Sequence, residues 1–344
     1  MVPYQHVIVG SGLIGCFLGG IIGQSARVAL VGRQTWLARL KAGITLTDYT
    51  GGEAPFKASE DQCWSTLPER LDHSVIWLTV KNTALAEVLE QLRPVLGSDC
   101  LVVCCQNGLG GATLARQYLP DVSVLQAIVG CNVVWDDTHQ RLHKATEGAF
   151  YLEQLTGITD QQSAALRMVQ HRLLTLCVRE DIEAVAWAKL QLNLANSINA
   201  IVNQPVRTML LDRGCRQVIA ALMDELLAVT AQLPVRLPKL TRVPANWLPF
   251  MLRLPDWLFT RLASAMLHIE PDARSSMWWD LQAGRLTEID YLNGAVTAQG
   301  KLAGVDCPLN DSVIALVKSL ETSTLVASRR PLDGNTLKFQ LHLK

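Results

Sequence analysis

Three clusters of residues in this chain carry groups that could do chemistry. Near the N-terminus, Gly10, Ser11, Gly12, Leu13, Ile14 and Gly15 spell GxGxxG directly after the apolar run HVIV. Between a strand and a helix this spacing suits a dinucleotide. The first glycine permits a tight turn, the second lets backbone approach a pyrophosphate, and the third lets helix and strand pack closely. The N–H groups and partial positive charge of the helix start then face the phosphates. The next apolar run, RVALVGR, ends on Arg33 with no acid for a ribose 2′-hydroxyl. A guanidinium there suits the 2′-phosphate of NADP; the alternative is a solvated surface arginine.

The second cluster lies in WAKLQLNLANSINAI, where Lys189, Asn193 and Asn196 share one face of a helix. Asn203 falls near the same face. Leucines and isoleucines cover the other sides, so the helix should be buried and its amide stripe needs partners. A bound substrate could supply them, and so could neighbouring loops. A lysine on such a stripe is uncommon unless paired or functional.

The third cluster is spread over strand ends and one late run. Asn107 stands in QNGLG after the run CLVVCC, and Lys81 ends VIWLTVK. In an open α/β sheet, ligands bind at the carboxyl ends of strands, which puts both on the cofactor side. Asn-Gly is also a favoured turn pair, and Lys81 also reads as a strand-end surface residue. SSMWWDLQAGRLTEID holds Ser276 and Glu288. Ser275 or Ser276 could cap a helix and Glu288 could be a helix-start acid, while Trp278 and Trp279 read as core or interface residues.

These groups need elements to hold them. The first half of the chain alternates short apolar runs with helical patterns, as an α/β domain does. Residues 6–10, 27–33, 75–81 and 100–108 read as strands of a parallel sheet, and residues 13–24 and NTALAEVLEQL as helices between them. SVLQAIVGCNVVW and AFYLEQL read as strands joined by a polar turn, extending the sheet in antiparallel fashion. Residues 161–173 read as a further helix and TLCVRE as a last strand. After about residue 181 every convincing pattern is helical: residues 182–203, 215–233, 257–267 and 287–304. Five prolines within 234–255 interrupt any regular helix there. The expected fold is α/β: an N-terminal Rossmann-type doubly wound sheet, residues 1–180, and an all-helical C-terminal domain, residues 181–328. A polar, loosely packed tail, 329–344, is expected to follow.

Bulk properties narrow the function. With 344 residues, 49% hydrophobic and 18% charged, the chain can build a large core in two domains. A formal net charge of zero offers no electrostatic footprint for nucleic acid or an anionic membrane. The apolar residues 7–23 imitate a signal peptide, but no Lys or Arg precedes them and six glycines make a poor membrane helix. The 9 cysteines show no CxxC pair and no zinc-site spacing. No metal is expected, and a reducing cytoplasm suits the unpatterned thiols. The sequence does not set the oligomeric state and is compatible with a homodimer.

Taken in order, these motifs resemble ketopantoate reductase, the NADPH-dependent 2-dehydropantoate 2-reductase family, over roughly residues 5 to 320. The SSM…D…G…TEID…NG run is the most specific part of the likeness. The resemblance implies reduction of 2-dehydropantoate to pantoate, a step of pantothenate biosynthesis, with NADPH on the glycine run, Lys81 and Asn107. It implies that Lys189 and Glu288 are the catalytic pair, Lys189 as the proton donor and Glu288 binding the substrate hydroxyl or orienting groups around the lysine, and that Asn107, Lys189, Asn193, Asn196, Ser276 and Glu288 bind substrate. The site is expected in the cleft between the domains. The alternatives are reduction of another branched 2-keto acid and a non-catalytic NADP-binding sensor. Three positions depart from the family pattern. Asn196 matches its asparagine only with a one-residue deletion, Ser197 standing there otherwise. Ala273 and Val206 stand where the family has further asparagines.

Overall fold

The glycine run joins a strand to a helix: β1 (His6–Val9) stops before Gly10, and α1 (Leu13–Ile22) starts after Gly12. The computed structural model describes residues 5–154, 156–263, 267, 270, 272–323 and 326–343. The chain forms two units, Met1–Ile182 and Glu183–Lys344.

In the first unit, β1 and α1 are followed by β2 (Val28–Val31), α2 (Gln34–Ala42), β3 (Ile44–Asp48), β4 (Glu53–Phe56), β5 (Cys63–Trp64), β6 (Val75–Leu78), α3 (Asn82–Leu92) and β7 (Leu101–Cys104). Then come α4 (Gly111–Tyr118), β8 (Ser123–Val129), β9 (Val133–Asp136), β10 (Arg141–Lys144), β11 (Phe150–Glu153), α5 (Asp160–Arg167) and β12 (Leu176–Arg179). Among the described residues these strands make an eight-stranded sheet, ordered β12-β11-β8-β7-β6-β1-β2-β5, and a four-stranded sheet, ordered β4-β3-β10-β9. From β5 to β8 all neighbours in the larger sheet are parallel. The chain enters at β1, adds β2 on one side, then crosses to add β6 and β7 on the other. That reversal makes a topological switch point between β1 and β6, and ligands of open α/β sheets bind at the carboxyl ends of the strands at such a point.

Side chains alternate across this sheet, yet both faces are apolar. Val7, Val9, Ile76, Leu78 and Val102 pack with Leu85 and Leu89 of α3 and Ala112 of α4. Ile8, Val75, Trp77, Leu101 and Val103 pack with Phe17 and Ile21 of α1 and Leu37 of α2. Burial on both faces is why these strands read as continuous apolar runs. Each such aliphatic side chain contributes about 1.5–3 kcal/mol, so the paired cores hold the strand ends at the switch point.

Three expectations for this unit need correction. The polar turn between SVLQAIVGCNVVW and AFYLEQL contains a strand, β10, with Leu142 buried and paired parallel to β3. The run SVLQAIVGCNVVW is itself split at Gly130: β8 stays in the large sheet, parallel to β7 and antiparallel to β11, while β9 pairs with β10 in the second sheet. The expected helix at 161–173 stops at Arg167, because Val169, Leu173 and Leu174 are drawn into the core as irregular chain closed by a His171–Leu174 bridge.

The second unit is helical, with no strand among its described residues. It contains α6 (Ile182–Val202), α7 (Val206–Leu211), α8 (Arg213–Thr230), α9 (Leu248–Arg253), α10 (Asp256–Leu262), α11 (Ser276–Gln282), α12 (Asn293–Ala303), α13 (Pro308–Glu321) and α14 (Gly334–Gln340). Of the helical pattern at 257–267, residues 264–266 lie outside the described residues. The Pro-rich stretch is fastened at its far end. Gln191 of α6 donates to the Ala245 carbonyl at 2.9 Å. Arg216 of α8, fully buried, donates to the carbonyls of Leu252 and Leu254 at 3.0 Å and to Asp256 at 2.7 Å. A buried guanidinium must place its donors, and here it places them on this segment and on the carbonyls of Leu210 and Leu211.

The C-terminal stretch is not a loose tail. Asp333 caps α14, whose Leu337 is fully buried, and α14 packs on α8. Asp212 accepts from Gly334 N at 2.7 Å, and a Cβ on Gly334 would stand 2.2 Å from Cys215 N. Arg329 donates to the carbonyls of Ala200 and Ile201 at 2.8 and 2.9 Å, closing the end of α6. Polar composition hid these caps and the two apolar residues, Leu337 and Leu341, one turn apart. No helix of the described residues is long and apolar enough to cross a membrane.

Candidate active site

The glycine run has the geometry a phosphate cradle needs. Gly10 has φ +117°, and a Cβ there would stand 2.7 Å from Val80 N. Thr79 Oγ1 donates to the Gly10 carbonyl at 2.8 Å, which ties the turn to the end of β6. A Cβ on Gly15 would stand 2.0 Å from the Gly10 carbonyl oxygen, so α1 can approach the turn only with glycine there. Gly12 differs from both, because a Cβ built on it meets nothing within 4 Å. Its backbone faces open space, and the N-cap of α1 makes no side-chain capping bond, which leaves the helix start open to a phosphate. Leu13 and Ile14 start the helix half-buried.

The end of β2 is locked to this turn. Buried Ser11 accepts at Oγ from the Arg33 backbone N–H at 2.8 Å. A Cβ on Gly32 would stand 2.1 Å from that Oγ, so Gly32 belongs to the cradle, although it lies outside the fingerprint. The Arg33 side chain is exposed. These residues fit a dinucleotide phosphate with an adjacent guanidinium.

Lys81 and Asn107 follow neighbouring parallel strands, β6 and β7, and both are exposed. Lys81 precedes α3, and Gly108 and Gly110 take φ of +77° and +89° to swing the chain into α4. Neither α3 nor α4 carries a side-chain cap. Asn82 and Gln106, absent from the sequence reading, are buried between the two turns; Asn82 Nδ2 donates to the Asn107 carbonyl at 2.7 Å.

In the second unit, α6 carries Lys189 and Asn196 half-buried and Asn193 buried. Asn193 Nδ2 is a buried donor with no protein acceptor among the described residues. Buried amides are normally satisfied, so this one is available to a ligand oxygen. Ser197 is fully buried and donates to the Leu194 carbonyl within its own helix, so of the two alternatives Asn196 presents the accessible side chain. Asn203 does not belong to the stripe. It leaves the helix at φ +53°, accepting from Trp278 Nε1 at 2.7 Å and donating to the Arg329 carbonyl at 2.7 Å.

The late run divides into scaffold and remainder. Ser275 caps α11, donates to the Asn196 carbonyl at 3.2 Å, and gives its N–H to Asn199 Oδ1 at 2.9 Å. Asn199, missed in the sequence because it points off the lysine face, thereby docks the head of α11 on α6. Ser276 is the first helical residue beside that junction and is exposed. Asp280 accepts from Arg285 at 3.1 Å across Gly284, which has φ +62°. Thr287 donates to Glu321 at 2.7 Å, and Asn293 donates to Asn310 at 2.9 Å. Glu288 is buried at the start of a short 3-10 turn, where its side chain makes no capping bond. Trp279 is 57% exposed, so it is not a core residue. Val206 N donates to the Ala273 carbonyl at 2.8 Å, which places the two departures from the family pattern side by side.

Comparison with known proteins identifies the family. The family model described as ketopantoate reductase PanE/ApbA matches residues 6–157, and its C-terminal counterpart matches residues 181–321. A 2-dehydropantoate 2-reductase of Archaeoglobus fulgidus is 26% identical over 322 residues, covering 92% of this chain and 97% of the relative. Among solved structures, a PanE/ApbA family ketopantoate reductase from Ralstonia eutropha JMP134 superposes with a TM-score of 0.71 at 24% identity, covering 92% of this chain and 98% of that one. A D-mandelate dehydrogenase in complex with NADH and anilino(oxo)acetate gives 0.67 at 20% identity, covering 92% and 98%. With matched models over both units and a full-length relative of the same name, the chain belongs to the ketopantoate reductase family.

Proposed function

We propose that this protein reduces the C2 carbonyl of 2-dehydropantoate to the alcohol, using NADPH. The cofactor is assigned to the first unit: Gly10, Ser11, Gly12, Leu13, Ile14 and Gly15 cradle its pyrophosphate, Arg33 takes the 2′-phosphate, and Lys81 and Asn107 lie toward the nicotinamide. NADPH, when bound, supplies the hydride. The remaining chemistry falls to side chains. As hydride reaches the carbonyl carbon, negative charge grows on the oxygen. Lys189, as an ammonium, stabilises that charge and then delivers the proton. Asn193 and Asn196 hold the substrate from the same helix, Ser276 its carboxylate, and Glu288 its hydroxyl. Asn107 contributes from the cofactor side.

The observation that carries the substrate assignment is the buried Asn193 Nδ2, without an acceptor among the described residues, one turn after Lys189. It supplies a hydrogen-bond donor where a protonating lysine needs the carbonyl held. Two alternatives have support of their own. The adjacent Val206 and Ala273 remove two amides from one place, which favours a branched 2-keto acid with a less polar side chain. The NADH complex of the D-mandelate dehydrogenase shows that this fold also accepts the non-phosphorylated cofactor in that protein. A panel of 2-keto acids with NADPH and NADH, followed by loss of reduced nicotinamide, tests all three. Turnover of 2-dehydropantoate with NADPH at the highest kcat/KM is expected. Preferential turnover of another acid or of NADH selects the corresponding alternative.

A further inference from the structure

Two amide side chains cross-brace the ends of β6 and β7. The ladder between these strands runs out at Leu78 and Cys104, with Cys105 N on the Leu78 carbonyl at 2.9 Å. Beyond that point side chains take over. Buried Gln106 reaches from the β7 end and donates Nε2 to the carbonyls of Leu78 and Val80, at 2.9 and 3.0 Å. Buried Asn82 reaches back from the β6 end and donates Nδ2 to the Asn107 carbonyl at 2.7 Å. The bonds therefore run in both directions. A Cβ on Gly111 would stand 3.3 Å from Gln106 Oε1, so the head of α4 closes on the far side of that amide.

The brace encloses both strand-end residues of the cofactor site. Lys81 sits between Val80, whose carbonyl Gln106 holds, and Asn82. Asn107 sits next to Gln106, and its own carbonyl is held by Asn82. Neither Lys81 nor Asn107 lies in a strand. We propose that Gln106 and Asn82 are positioning residues that set the spacing of Lys81 and Asn107 for a bound nicotinamide cofactor. This rests on the reading of the first unit as the NADP site. Charge and reach come from Lys81 and Asn107; the two buried amides supply registration.

A mutant cycle on NADPH affinity separates positioning from mere support. Lys81→Ala in the wild-type background should weaken NADPH binding about tenfold, as loss of one charge-assisted contact does. In the Gln106→Met background, which keeps the shape and removes both donors, the same change should cost no more than about twofold, since residues acting as one unit are non-additive. Asn82→Ala should reproduce the result from the other side and serves if Gln106→Met fails to fold. Melting temperatures report general damage, which leaves the factor for Lys81→Ala unchanged. An equal factor for Lys81→Ala with and without the brace overturns the proposal. If Lys81→Ala and Asn107→Ala are both silent in the wild-type protein, the cofactor reading of these residues fails, and the positioning role fails with it.

Discussion

Gly12 and Gly15 lie three residues apart in one motif, yet alanine should act on them in opposite ways. At Gly15 the added methyl would stand 2.0 Å from the Gly10 carbonyl oxygen and 2.5 Å from Thr79 Oγ1. The nearer atom is backbone, and the turn that carries it is tied to β6, so it cannot move aside cheaply. Overpacking of this kind costs about 1–3 kcal/mol, and Gly15→Ala should lower Tm with or without cofactor. At Gly12 the methyl meets nothing within 4 Å, and φ −84° with ψ −176° is open to alanine. Two small terms then oppose each other. Alanine is the poorer N-cap, but it narrows the unfolded ensemble, so the net change should stay within about 1 kcal/mol. The space the methyl enters is the approach to the first N–H groups of α1. Losing one charge-assisted bond to a phosphate costs about 1.5–3 kcal/mol, or roughly a ten- to 150-fold rise in Kd. Thermal melts of the free variants and fluorescence titration with NADPH make the comparison. Wild-type NADPH affinity in Gly12→Ala would refute the cradle, and an unchanged Tm in Gly15→Ala would refute the packing argument.

Other expectations follow from individual side chains. Arg33→Ala should raise the NADPH KM by about ten- to 100-fold and leave the NADH KM nearly unchanged; equal affinity of the wild type for both cofactors contradicts the assignment. Glu288→Gln removes a charge and keeps the shape, so kcat/KM should fall by about 2–4 kcal/mol in transition-state terms with little change in Tm; lower stability with full activity would make Glu288 structural. Burial pushes the His6 imidazole down to about 4 from 6.5. The unfolded chain therefore takes up a proton below pH 6.5 that the folded chain refuses until about pH 4. This contribution is complete above pH 6.5 and is lost as pH falls toward 4, by about 3 kcal/mol. His6→Gln should flatten that part of a Tm-against-pH profile, and an unaltered slope would show that His6 does not carry it.

The sequence revealed the parts of this molecule whose physics is local or periodic. Parallel strands buried on both faces leave unbroken apolar runs, and the glycine spacing between β1 and α1 needs no distant partner to be recognised. The second sheet was hidden because β10, Arg-Leu-His-Lys, is short and polar and β9 continues the apolar run of β8; pairing with β3 and β9 buries Leu142. α14 was hidden for the same reason, since its two apolar anchors matter only against α8. In the candidate site, Lys189, Asn193 and Asn196 were legible because they share one face of a long helix whose remaining positions are mostly apolar. Asn82, Gln106 and Asn199 were not, because each acts on backbone distant in sequence. The late run mixed both kinds of residue. Asp280, Thr287 and Asn293 brace the scaffold, and no spacing rule separates them from Ser276 and Glu288.

On the proposed mechanism, Lys189 delivers the proton that completes carbonyl reduction. This role is tested most directly by the Lys189→Ala variant, with kcat for the best 2-keto acid and Kd for NADPH measured on one preparation. The account predicts a kcat lowered by about 10²–10⁴-fold, the usual loss on removing a general acid, with NADPH affinity unchanged. A near-normal kcat would contradict it and leave Lys189 as a structural residue of α6.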